Sequence, residues 1–141
     1  MIDDFKTAKA LLDKLQAFAD AQGYRLAIQG APFEPITTEI YIKESFLAND
    51  IDPLGLSAGS SDRQDPIYQI DVFTPKGQGG KFSGLGIVNL LKTEFPRASY
   101  VVDDSEQRAQ VENVTSAIMS ANDTHNRSIV EVNLTVLATN T

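Results

Sequence analysis

Two periods alternate along this chain. From Asp3 to Ala21 the apolar positions are Phe5, Ala8, Leu11, Leu12, Leu15, Phe18 and Ala19. Steps of three and four place them on one face, which predicts an amphipathic helix. Asp3 and Asp4 stand where an acidic N-cap belongs, and Gly23 where a left-handed C-terminal residue belongs. A second helical pattern covers Lys81 to Phe95 through Phe82, Leu85, Leu90, Leu91 and Phe95, and Pro96 ends it.

Elsewhere the period is two, which predicts strands. Arg25 to Gln29 is a short run stopped by Gly30 and Pro32. Thr37 to Phe46 sets Ile40 and Ile42 against Glu39, Tyr41 and Lys43. Ile67 to Thr74 places Tyr68, Ile70 and Val72 on one face before Pro75 stops it. Tyr100 to Asp103 and Gln110 to Ser120 are shorter or more mixed, and Ala121 to Arg127 is a polar turn. Ser128 to Thr139 is the clearest strand, with Val130, Val132, Leu134 and Val136 on one side. Leu47 to Asp65, rich in Asp, Ser, Gly, Asn and Pro, is expected to be a flexible loop of nearly twenty residues.

The predicted order is α-β-β-β-α-β-β-β. Two helices with one apolar face each need a surface to cover. An alternating sheet supplies one, so the expected fold is α+β, with both helices on one face of a mostly antiparallel sheet. The opposite face would carry Glu39, Tyr41, Lys43, Gln69, Asp71, Phe73, Glu131, Asn133 and Thr135. A length of 141 residues suits a single domain.

Composition narrows the chemistry. The absence of cysteine removes disulfides and thiolate sites, and a single histidine, His125, removes histidine-rich metal sites. No apolar run reaches the roughly 18 residues needed to cross a bilayer, and the acidic start is unlike a signal peptide. The chain is therefore expected on the cytoplasmic side, where its sequons at Asn113, Asn122, Asn126 and Asn133 carry no meaning. A net charge of −7 argues against a groove that grips nucleic acid.

The stretch "YQIDVFTPKGQGGKFSGLG" places a glycine-rich turn between a strand and a helix, as phosphate-binding loops do. The Walker pattern fails because Phe82 follows Lys81 and Pro75 holds the first glycine's place; the dinucleotide fingerprint fails at Phe82 and Asn89. The glycines instead let the chain reverse after Pro75, while Gly84 and Gly86 let the helix lie close on the sheet. His125 has no nucleophile elbow nearby and reads as solvated. Asp103–Asp104 and the pair Asp50 and Asp52 read as solvated carboxylates, and a calcium loop opening at Asp50 fails at Ser61. No catalytic, cofactor or metal residue is expected. Tyr41 and Phe73 fit either cross-strand aromatic packing or an interface anchor.

"YQIDVFTPKGQGG", the helix ending in "EFP", the long closing strand and the earlier "APFEPITTEIYIKESFL" together resemble the tail terminator family of long-tailed bacteriophages, from about Phe33 to Ala138. The resemblance implies a structural virion protein, not an enzyme. It implies a homo-hexameric ring at the head-proximal end of the tail tube, assembled in the host cytoplasm. Such a ring stops tube growth and offers a surface to the head–tail connector protein. The major tail tube protein is a further implied partner, and DNA crosses the lumen only in transit. Asp50, Asp52, Asp62 and Arg63, on the predicted loop, join Tyr41 and Phe73 as candidate interface residues. The alternatives are a related neck or head-completion protein, and a small phosphate-binding enzyme using the glycine turn.

Overall fold

The chain's last strand is the spine of the sheet. A computed structural model describes residues 1–55, 61–77, 79–119 and 124–139. Its elements are α1 (Asp4–Gln22), β1 (Arg25–Ala27), β2 (Tyr41–Leu47), β3 (Asp52–Pro53), β4 (Ser61–Gln64), β5 (Ile67–Pro75), α2 (Lys81–Glu94), β6 (Tyr100–Asp103), β7 (Gln107–Met119) and β8 (His125–Thr139). Parts of the predicted 47–65 loop (56–60), of the glycine turn (78), of the strand ending at Ser120 and of the polar turn (121–123) lie outside the described residues.

β8 pairs antiparallel with β7 on one side from Arg127 to Ala138. On its other side β5 covers His125 to Asn133, and β4 covers Val136 to Thr139. β2 adds to β5, β1 to β2, β6 to β7 and β3 to β4.

The sheet is mostly antiparallel, as expected, but it is mixed: β1 runs parallel to β2, because the long connection between them returns the chain to the end from which β1 started. Other expectations need correcting. The 47–65 segment contains two short strands, since β8 outruns β5 and leaves backbone groups that β4 pairs. The order therefore gains two elements over the predicted one. β2 begins at Tyr41, after a turn in which the Glu39 N–H donates to Ile36 O at 3.1 Å. β7 begins at Gln107, and the supposed turn residues His125 to Arg127 already belong to β8, opposite Pro75, Thr74 and Phe73.

α1 forms as its pattern predicts. The Asp3 carboxylate accepts from the Lys6 N–H at 3.1 Å, and Gly23 closes the helix at φ 76°. Gln107 fastens this end to the sheet, donating from its buried amide to Thr7 Oγ1 at 2.7 Å and to Asp3 O at 3.1 Å. Lys6 reaches Asp104 at 2.8 Å, and this bond, with two backbone N–H donors, holds the Asp104 carboxyl down to about 2.

Both helices cover the same sheet face. Leu11, Leu15 and Phe18 of α1 and Ile87, Val88 and Leu91 of α2 share one buried cluster with Ile42, Tyr68, Ile70, Val72, Val130, Val132 and Leu134. Full burial of each such side chain contributes about 1.5–3 kcal/mol. The face that α2 buries is rotated from the expected one. Phe82 is 71% exposed and Leu90 44%, while Gly84 takes the contact. A Cβ on Gly84 would stand 2.6 Å from Ser128 Oγ, so the glycine sets how closely α2 approaches β8. Gly86 has no such role: it faces solvent, and a Cβ there would meet nothing within 4 Å. In the turn before α2, Gly77, Gly79 and Gly80 all have positive φ, which accounts for glycine at each position.

The helix-covered face also holds a buried carboxylate. Glu44 is 5% exposed on β2, where its Oε1 accepts from the Gln29 N–H at 3.2 Å. The Tyr68 phenol neighbours it. Burial pushes the Glu44 carboxyl above its ordinary value, outweighing the hydrogen bond from Gln29.

Gly86→Ala is expected to stabilise the fold by about 1 kcal/mol through helix propensity alone. Gly84→Ala should gain less or lose stability, because it displaces the Ser128 hydroxyl. Chemical denaturation of both variants checks the ranking, and equal gains would contradict the close approach. For Glu44 the folded chain holds its proton more tightly than the unfolded one. Stability therefore falls as pH rises from the ordinary carboxylate range, near 4.3, through the raised folded value. Glu44→Gln should melt higher than the native chain at neutral pH, and the gap should close below about pH 4. A gap that does not change with pH in thermal melts would refute this assignment.

Candidate interface on the open sheet face

The face away from the helices is built by odd-numbered residues of β2, β5 and β8. The register places Tyr41 beside Phe73, and Phe73 beside Arg127. The Tyr41 and Phe73 rings stack with centroids 4.4 Å apart and an 8° interplanar angle. Phe33 packs on Tyr41 at 5.2 Å, and His125 meets Tyr41 edge-on at the same distance. Tyr41 is thereby left 7% exposed. Burial is the main reason its phenol is raised above the ordinary value.

His125 is not solvated, contrary to expectation: it is 1% exposed. One ring nitrogen, Nε2, lies 3.0 Å from Glu39 O, and Nδ1 lies 2.9 Å from Thr124 Oγ1. A carbonyl only accepts, so Nε2 carries a proton and donates; in the neutral ring Nδ1 accepts from Thr124. The side chain thus ties β8 to the turn before β2. This is a structural role.

A polar layer continues the patch. Arg127 Nη2 donates to Asp71 Oδ2 at 2.8 Å, and Gln69 Nε2 donates to Asp71 Oδ1 at 2.9 Å. Asp71 is nearly enclosed, its side chain 9% exposed, while that of Arg127 remains 30% exposed. The Arg127 guanidinium also sits 5.9 Å from the Phe73 centroid, and that of Arg25 sits 4.6 Å from Phe33. The result is a fixed aromatic floor with cations at its edges.

The six sequence-picked residues fall in two places. Tyr41 and Phe73 form the floor of the open face, where Tyr41 is covered and Phe73 half-buried. Asp50, Asp52, Asp62 and Arg63 lie at the β3–β4 margin, with Asp52 opposite Arg63 in register and Arg63 paired to Asp65 at 3.2 Å. Sequence reasoning missed Phe33, His125 and Arg127. The last two keep step with Ile129 and Glu131 along β8, and that alternation was the available signal.

The other candidate chemistry dissolves into ion pairs. Asp103 meets Arg108 at 3.1 Å and Asp104 meets Lys6. Among the described residues no group of three or more His, Cys, Asp or Glu is placed to hold a metal ion.

Arg127→Met is expected to destabilise by about 3 kcal/mol, because it strands the enclosed Asp71 charge. Adding Asp71→Asn should recover much of that loss. A double-mutant cycle from denaturant melts checks this, and simple additivity would show the pair to be uncoupled.

Comparison with known proteins agrees with the architecture. One solved structure superposes with a TM-score of 0.70 at 17% identity, covering 98% of this chain and 96% of that one, which establishes a shared fold. Among curated proteins none matches. The sequence family described as phage tail terminator protein matches residues 6–136. The chain therefore belongs to the phage tail terminator family, a family of structural tail proteins.

Proposed function

We infer that this chain terminates a phage tail. Copies dock into a ring, expected to be a hexamer, on the head-proximal end of the tail tube. The ring stops further addition of the major tail tube protein and offers a surface to the head–tail connector protein. The observation that carries this reading is the family match, which spans nearly the whole domain.

The physical features are consistent with docking. The open sheet face is preorganised by stacked rings and an ion pair, so little side-chain entropy is lost on contact. Phe73 and Arg127 are its accessible members, and Asp50, Asp52, Asp62 and Arg63 form a separate charged margin suited to a second partner. The net charge of −7 suits a lumen through which DNA slides without adhering. The protein would reside in the virion, and no helix among the described residues is long and apolar enough to cross a membrane.

Light scattering and negative-stain imaging test the reading, on the protein alone and mixed with polymerising tube protein. Closed rings and shortened tubes in proportion to added protein are expected. A strict monomer at every concentration, with tube length unchanged, would end it.

A further inference from the structure

The connection from β1 to β2, residues 28–40, contains no strand or helix, yet it is fastened along its length. Gln29 holds its start. The Gln29 N–H donates to Glu44 Oε1 at 3.2 Å, and its side-chain oxygen accepts from the Phe46 N–H at 2.7 Å. Phe33 holds its middle, packed on Tyr41 and covered by the Arg25 guanidinium, which also donates to Glu34 O at 2.8 Å. Glu39 O holds its end, accepting from His125 Nε2 at 3.0 Å.

These ties carry the connection across the open sheet face. Register places Ala27 beside Lys43 on that face, yet Ala27 is only 6% exposed. Between the connection and β2 lies a groove of about 480 Å³. Ile28, Phe33 and Pro35 stand in its walls, and Tyr41, Lys43 and Ser45 form its floor. Ligand-binding clefts run from roughly 300 to 1,000 Å³, so this one has room for an occupant. The groove reaches Ser45, past the end of the β1–β2 pairing at Lys43, so an extended chain can enter along the uncovered end of β2.

Charge points to the occupant. Lys43 is exposed and has no hydrogen-bond or ion-pair partner among the described residues. Asp71, its neighbour in register, already accepts from Arg127 and Gln69 with its two oxygens. No carboxylate lines the groove among the described residues, although the chain has 19 acidic side chains against 12 basic ones. Glu34 and Glu39 belong to the connection but not to the lining. At physiological ionic strength a charge acts over about 8 Å, so Lys43, with Arg25 on Phe33, outweighs the distant surplus of acid inside the groove.

We propose that this groove receives an extended acidic segment of another protein, with a carboxylate on the Lys43 amine and an adjoining apolar side chain against Ile28 and Pro35. The walls are fixed before contact, so little loop entropy is lost on binding. This deepens the reading of the open face as a docking surface and rests on it.

The probe is a fluorescein-labelled decapeptide that alternates aspartate with leucine, followed by fluorescence anisotropy. A lysine–leucine decapeptide and a short DNA duplex serve as comparisons. The acidic peptide alone is expected to bind. Lys43→Glu and Ile28→Asp alter exposed side chains, so both should fold as the native chain does by circular dichroism. Each is expected to weaken peptide binding by about tenfold or more. Lys92→Glu makes the same charge change on the exposed side of α2 and should weaken it by less than about twofold. Equal losses for Lys43→Glu and Lys92→Glu would overturn the groove as the site, as would equal binding of the basic peptide or the duplex. The terminator reading is judged separately, from tube length. A native chain that shortens tubes but binds no acidic peptide would keep that reading and lose the groove.

Discussion

The ladder along β8 is the constraint on which the rest depends. This strand of 15 residues has neighbours on both sides and alternates buried with half-exposed positions for nearly its whole length. Its even-numbered residues form the floor on which α2 rests, and its odd-numbered residues carry the ion pair and the histidine of the opposite face. A slip of one residue would exchange the two sets, burying Arg127 and Glu131 and exposing Val130 and Val132. Register is thus fixed twice, by burial on one face and by the Asp71–Arg127 and His125–Glu39 contacts on the other.

The two faces serve different ends. The helix-covered face is mainly aliphatic and aromatic, with a few buried polar side chains such as Ser128 and Gln107 and the carboxylate of Glu44. As a charge that residue costs stability, because burial raises its carboxyl above the ordinary value. The open face has spent its aromatic residues on one another, leaving Tyr41 enclosed beneath Phe33 and Phe73. Such a floor is stiff. What it presents outward is half a phenylalanine ring and a guanidinium, a combination suited to another protein surface.

Much of this was legible in the residues. Both helices and the strands with clean alternation follow from spacing, because burial on one face imposes it, and the caps of α1 follow from Asp3 and Gly23. The family also follows from the run around Tyr68 to Gly80. Other features were not legible. The parallel pairing of β1 depends on where a long connection returns, which no local pattern encodes. β3 and β4 have turn-like composition and exist because β8 exposes an edge for them. His125 looked solvated because Asn, Asp and Thr surround it in sequence, but the strand's alternation turns its ring inward beside Tyr41. On α2, Phe82 and Leu90 looked like core, yet close packing selected the face with Gly84.

The position of β8 in the chain has a consequence for biosynthesis. Its partners β4 and β5 precede it by fifty residues or more in sequence, so the sheet is stitched by long-range contacts that form slowly. As the chain leaves the ribosome, β2 and β5 can meet, but the apolar floor beneath α2 has no centre until β8 emerges. His125 and Arg127 arrive in that same segment. Translation that stops early would yield a chain without the strand on which α2 and the paired strands of the sheet converge.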